Sequence, residues 1–364
     1  MSRLNGFLSG IKIIDLTRHL PGPLATLLLA DMGAEVLKIE PPNGDELRSL
    51  GPVDAAGRPI YFDAVNAGKR VRTMDLGERI RRDEFLDLVK RSDVLVESFR
   101  PGVMERLRLD YAVLRPLNEG LIYCSMSGYG RNSPLSKAAG HDANYLALAG
   151  ILAGTGTEEN PICFTPPVAD CTGSLVALAA ILGALYARTR TGAGCEIDLA
   201  LADVTMPLQI FQLAELGATG ASPRREKDLL NGGAAFYRNY RTRDGRHVAL
   251  GAVEPKFWKA FCMEANRSDW ISRQTDPLPQ RDLIVELGEF FSSMNLEECL
   301  EKFRPADCCL TPVLDLEVAV QSPHHKARGL VRRIAGGIYE ASFPVLVDGV
   351  TPAARAPIKD ERKR

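Results

Sequence analysis

Apolar and polar residues follow two rhythms along the first half of the chain. Short β-branched runs at 11–16 (IKIIDL), 34–40 (AEVLKIE), 94–97 (VLVE), 121–127 (LIYCSMS) and 195–199 (CEIDL) predict buried strands. Between them lie stretches with helical spacing at 24–33 (LATLLLADMG), 80–90, 111–118 and 202–216, together with the long apolar segment 171–192. Gly33, Gly192 and Gly194 stand where helices should stop. Alternating strands and helices predict an α/β domain built on an open parallel sheet. Such sheets bind ligands beyond the carboxyl ends of their strands, which directs attention to the loops 17–23, 98–106 and 128–141.

The texture changes after a polar stretch at 217–228 (GATGASPRREKD). There 235–241 and 246–253 flank Asp244-Gly245 and read as a hairpin, followed by a helix at 256–264 and two more within 280–306. Segment 305–318 returns through Thr311-Pro312-Val313. The expected organisation is a large Rossmann-like domain over 1–200, completed by 325–364. A helical linker at 201–225 and a smaller α+β domain over 226–318 follow. The tail 359–364 (KDERKR) is expected to fray.

Composition narrows the function classes. The net charge is −1, with 45% hydrophobic and 25% charged residues, so neither nucleic acid nor an anionic membrane is an expected partner. The apolar run at 174–185 is short for a membrane span, and the N-terminus is too polar for a signal peptide. The eight cysteines contain no Cys-x-x-Cys pair, so reduced thiols in a cytoplasmic protein are expected, with no metal site. Glu40 ends the second strand, where a dinucleotide fold keeps its ribose-binding acid, but Pro21-Gly22-Pro23 replaces the glycine-rich phosphate loop. Proline lacks the amide N–H that a phosphate uses, which argues against NAD.

The stretch 128–170 carries the acid–base candidates. His141 is one of five histidines and is followed by Asp142; Asp170 opens the long apolar segment. A histidine there serves equally as a cap or a packed core residue, and an aspartate there serves as an N-cap. A helix N-terminus also favours an ionised carboxylate, which a base or nucleophile needs. Glu254 precedes Pro255, so it stays extended at a strand end. Lys38, Lys69, Arg70, Arg100 and Lys137 offer a basic rim for a phosphorylated ligand.

These motifs resemble those of the class III CoA-transferase (CaiB/BaiF) superfamily over almost the whole chain. The resemblance rests on PGPLATLLLADMGAEVLKIEPPNGD (21–45), NAGKR (66–70), DVLVESFRPGVMERL (93–107), LIYCSMSGYGRNSP (121–134) and TGAGCEIDLAL (191–201). Three further stretches, AGHDANY (139–145), LLNGGAAFYRNY (229–240) and GAVEPKF (251–257), are similar to the α-methylacyl-CoA racemases. The resemblance implies ring-like chains interlocked as a homodimer, and coenzyme A carried in as part of the substrate with no other cofactor. It implies His141 and Asp170 as the two acid/base groups, with Glu254 pairing with the histidine and, in that arrangement, serving the His141 of the partner chain. Asn66, Asp142 and Tyr145 join the five cations as expected CoA-binding residues. It leaves two other readings open: a CoA-transferase with an acyl intermediate on Asp170, and a CoA-binding protein without turnover. Two departures bear on the acyl pocket: His19 in the loop TRHLPGP, and Cys171-Thr172 after Asp170.

Overall fold

The computed structural model describes residues 3–334 and 337–361. The chain divides into two compact units, one of residues 1–149, 164–208 and 320–364, the other of 150–163 and 209–319.

The first unit is built on a parallel sheet. Its strands are β1 (Lys12–Asp15), β2 (Glu35–Glu40), β3 (Arg70–Thr73), β4 (Val94–Glu97), β5 (Ile122–Ser127) and β6 (Cys195–Ala200), with Lys359–Asp360 as a seventh strand at the edge. The order is Lys359–Asp360, β3, β2, β1, β4, β5, β6, and every pairing is parallel. The order reverses between β1 and β4, the switch point at which such sheets present a ligand crevice. Helices α1 (Pro21–Asp31), α2 (Ile60–Asn66), α3 (Arg79–Val89), α4 (Val103–Leu107), α5 (Tyr111–Leu114), α6 (Asp142–Leu148) and α7 (Val168–Thr191) connect the strands. Strands β4 and β5 are buried along their whole length, which is why they read as unbroken apolar runs.

Gly33 ends the turn after α1 with φ +101, and an added Cβ would lie 1.9 Å from the carbonyl oxygen of Asn5, so only glycine fits there. Helix α7 is 24 residues long, with a mean hydropathy of 1.9 over its most apolar window, so by length and composition it could cross a membrane. It is longer than the apolar run at 174–185 suggested. Its buried stripe, including Gly173, Ala177, Ile181 and Leu185, packs on α1 and β5.

Several boundaries differ from the sequence pattern. Strand β3 and helix α2 were hidden because Arg70-Val71-Arg72-Thr73 reads as polar; its strand lies beside the two-residue edge strand and buries only Val71 fully. Pro116 confines α5 to one turn followed by a 3-10 turn, and Pro207 puts 203–209 into a 3-10 segment before the next helix. The tail is not wholly frayed, since Lys359 and Asp360 pair with β3; residues 362–364 lie outside the described residues.

The second unit pairs β7 (Tyr237–Arg241), β8 (His247–Gly251) and β9 (Leu310–Pro312) as an antiparallel sheet in that order. Helices α8 (Ile210–Thr219), α9 (Pro255–Glu264), α10 (Arg281–Ser292) and α11 (Leu296–Phe303) accompany it. An aromatic core holds it together: Phe261 stacks on Phe303 at 5.0 Å and on Trp258 at 5.5 Å. Residues 150–163 join this unit because the Arg225 guanidinium donates to the carbonyl oxygens of Ala153, Thr157 and Glu158.

A charged cluster lies inside the first unit. Asp15, Lys38 and Lys69 are fully buried. Lys69 Nζ shares its three N–H donors among four oxygens: Asp15 Oδ2 at 3.0 Å, Thr26 Oγ1 at 2.8 Å, Asn66 Oδ1 at 2.8 Å and the carbonyl of Pro23 at 2.9 Å. Lys38 Nζ reaches Asp45 Oδ2 at 3.0 Å and the carbonyl of Thr17 at 2.6 Å. Burial alone would raise the Asp15 carboxyl; the two ammonium groups and the hydroxyls of Thr17 and Thr26 outweigh it and hold it far below the usual range. Burial lowers Lys69 to about 8, with Asp15 opposing. Removing one partner strands the other charge in a dry interior, so Lys69→Met should cost about 3 kcal/mol in urea unfolding, and Asp15→Asn in the same chain should recover much of that loss.

Candidate functional site

The site sits at the carboxyl ends of the strands beside the switch point. The loop after β1 begins at Thr17, whose N–H and hydroxyl both donate to Asp15 Oδ1. Arg18 N donates to Ser98 Oγ at 3.1 Å, which joins this loop to the one after β4. Glu97 ends β4; burial raises its carboxyl, while Oε2 accepts the N–H of Phe99 at 2.7 Å.

The chain leaves β5 through Gly128-Tyr129-Gly130 and returns at Gly140. A Cβ on Gly140 would lie 2.6 Å from Tyr129 Oη and 2.9 Å from Tyr145 Cε1, so the residue before His141 has no room for a side chain. Tyr145 Oη donates to the Gly140 carbonyl at 2.6 Å, and His141 N donates to Asn144 Oδ1 at 3.0 Å. His141 is thereby fixed as the extended N-cap of α6, with its side chain exposed.

Asp170 was expected to cap α7. The cap is Pro167, and Asp170 lies inside the first turn, half-buried. Its backbone N–H donates to Asp142 Oδ1 at 3.1 Å, so the aspartate beside His141 holds the start of α7. The Ser174 hydroxyl shares its one hydrogen between the Pro21 carbonyl at 2.7 Å and the Asp170 carbonyl at 2.9 Å, tying the same turn to the start of α1. Burial pushes the Asp170 carboxyl up to about 6, Asp142 adds to the rise, and His141 opposes it. The expectation that the helix end keeps this carboxylate ionised is thus countered by burial and a like charge. The Tyr145 hydroxyl is pushed up to about 12 by burial, with the Asp170 charge adding to it.

The expected site residues fall into three groups. His141, Asp142, Tyr145 and Asp170 come together in one constellation. Lys38, Asn66 and Lys69 do not form an exposed rim: all three are buried, Lys38 donates to the Thr17 carbonyl and forms an ion pair with Asp45, Lys69 donates to Asp15 and the Pro23 carbonyl, and Asn66 donates to the Phe62 carbonyl. Arg70 is exposed but donates to Glu361, whereas Arg100 and Lys137 are exposed without an ion pair among the described residues. Glu254 is exposed at the N-cap of α9 in the second unit. Glu40, the ribose-acid candidate of a dinucleotide fold, is buried and accepts from Arg48 Nε at 2.9 Å.

Sequence reasoning missed the anchoring role of Asp142 and the tyrosine pair around Gly140. The signal available was the Gly-His-Asp order itself, since an acid one residue into a helix can reach a neighbouring backbone donor. Among the described residues, no three His, Cys, Asp or Glu side chains gather as a metal site.

The chain belongs to the CoA-transferase family III, whose model matches residues 8–358. It is 36% identical to human α-methylacyl-CoA racemase over 325 residues, covering 88% of this chain and 81% of that protein. It is 33% identical to the acetyl-CoA:oxalate CoA-transferase of Acetobacter aceti, covering 94% of this chain and 90% of that protein. A CAIB/BAIF family protein from Brucella suis superposes with a TM-score of 0.84 at 28% identity, covering 97% of this chain and 96% of that one.

Asp142→Asn keeps an oxygen for the Asp170 N–H but removes the negative charge. The Asp170 carboxyl should then titrate below about 6, a downward shift readable by carbon NMR of labelled aspartate.

Proposed function

We propose that this protein is an acyl-CoA racemase or epimerase that inverts the carbon next to the thioester of a 2-methylacyl-CoA. The observation that carries this reading is that Asp142, next to His141 at the start of α6, holds the first turn of α7 where Asp170 lies, with burial pushing the Asp170 carboxyl up to about 6. Proton removal and return on opposite faces requires two groups that exchange one proton near neutral pH. Neutral His141 takes the proton from one enantiomer while protonated Asp170 supplies it from the other side. The N–H groups of Asp170 and Cys171 are engaged by Asp142 and the Pro167 carbonyl, so the enolate oxygen takes its donors from the remaining backbone at the start of α7. In the dimer Glu254 of one chain serves the His141 of the other, Arg100 and Lys137 meet the CoA phosphates, and the CoA of the substrate is the only cofactor needed.

The runner-up is a CoA-transferase in which Asp170 attacks the thioester and carries the acyl group. The likeness to the Acetobacter aceti enzyme favours it. It assigns no work to His141. A CoA-binding protein without turnover is the third reading.

The working form is an interlocked homodimer. Helix α8 supports this, because none of its residues is buried and it exposes Ile210, Phe211, Leu213 and Leu216. All eight cysteines are free, which fits a reducing cytoplasm. Light scattering should give twice the 39.7 kDa chain mass, and Phe211→Glu should raise the monomer fraction.

In deuterated water the enzyme should label the α-carbon of 2-methylacyl-CoAs, and His141→Ala or Asp170→Ala should slow labelling by about 10²-fold or more. The reacting pair must hold one proton between its two members in either direction. The pH profile of kcat/KM is therefore bell-shaped and the same for both enantiomers, with activity lost as pH falls below the lower apparent pKa of the pair. No labelling across a range of branched acyl-CoAs, or full labelling by His141→Ala, contradicts the proposal.

A further inference from the structure

We propose that His19 is a specificity-determining residue that selects acyl-CoAs whose chain bears a carboxylate close to the α-carbon. The inference rests on the reading of His141 and Asp170 as the reacting pair.

His19 lies on the loop between β1 and α1, and its imidazole ring stands edge-on to that of His141, with centroids 6.4 Å apart and planes at 86°. The side chain is exposed and makes no hydrogen bond to another described residue. An oxygen bonded to an imidazole nitrogen sits roughly 4 Å from the ring centroid. At the observed separation, a ligand oxygen seated beside His141 is therefore within reach of His19 as well.

The backbone keeps the ring there at a cost. His19 has φ +61, a left-handed conformation that glycine would adopt without strain. The loop is fastened on both sides of it. Lys38 holds the Thr17 carbonyl, Ser98 holds the Arg18 N–H, and Ser174 holds the Pro21 carbonyl. A residue forced into this conformation by a fixed frame presents its side chain with little freedom, as a recognition group should.

The charges around it decide what is recognised. Asp142 and Asp170 put acidic groups beside His141, and an anionic chain end is repelled by them. Arg18 is committed to Glu46 at 3.0 Å, and Lys38 is buried on Asp45. The His19 imidazole, which makes no hydrogen bond to another described residue, puts an N–H donor beside His141. An acyl chain with a carboxylate gains that hydrogen bond, whereas a plain alkyl chain leaves the imidazole unmatched.

The test compares two inert thioethers, S-(3-carboxypropyl)-CoA and S-butyl-CoA, by titration calorimetry on the full-length protein. The wild type should bind the carboxylate about tenfold tighter or better. His19→Leu should abolish that preference and leave S-butyl-CoA affinity unchanged, and His19→Gln should retain part of it. Equal binding of both ligands by the wild type, or a preference that survives in His19→Leu, overturns the assignment. Because neither ligand reacts, this outcome is independent of α-carbon labelling, whose absence would overturn the racemase reading instead.

Discussion

The bond from the Asp170 N–H to Asp142 Oδ1, 3.1 Å long, joins two segments 28 residues apart and sets the geometry of the whole site. Asp142 opens α6, directly after His141; Asp170 lies in the first turn of α7. That bond ties the segment bearing His141 to the turn bearing Asp170, where α6 already packs on α7. The same acid also supplies charge. It helps burial lift Asp170 to about 6, where the group can give and take a proton in neutral solution. One side chain thus does both the mechanical and the electrostatic work.

Around this bond the structure spends its buried polar groups on holding loops rather than on ligand. Lys38 and Lys69 look like phosphate ligands in the sequence, because a lone lysine near a strand end is expected in solvent. Here the Asp15 and Asp45 carboxylates, the Thr26 hydroxyl and three carbonyl or amide oxygens satisfy both ammonium groups inside the unit. The cluster reaches Thr17 and Pro23, on either side of His19, so the loop beside the site is anchored in the core. The dry charges stabilise little on balance, but breaking them singly is expensive, which rigidifies the loop.

The parallel sheet was legible because β1, β2, β4 and β5 are fully or largely buried and read as apolar runs. Strand β3 was not, since its arginines face solvent and the carboxylates of Glu84 and Glu361. His141 and Asp170 could be named from the stretch that contains them and from the resemblance to the racemases. Their mutual geometry could not, because it depends on one side-chain-to-backbone bond across 28 residues. Burial of Lys38, Asn66 and Lys69 was equally hidden: it arises from partners at 15, 26, 45 and 62, and no local pattern reports such pairing. The membership in CoA-transferase family III agrees with the motifs that carried the resemblance.

The most direct measurement is a crystal structure of the Asp170→Asn protein holding a 2-methylacyl-CoA. The account predicts the α-carbon between the His141 imidazole and the residue-170 side chain, within about 3.5 Å of each, with the thioester carbonyl turned toward backbone N–H groups. A complex in which the thioester carbonyl carbon, rather than its neighbour, faces residue 170 while His141 touches nothing on the acyl group would contradict it.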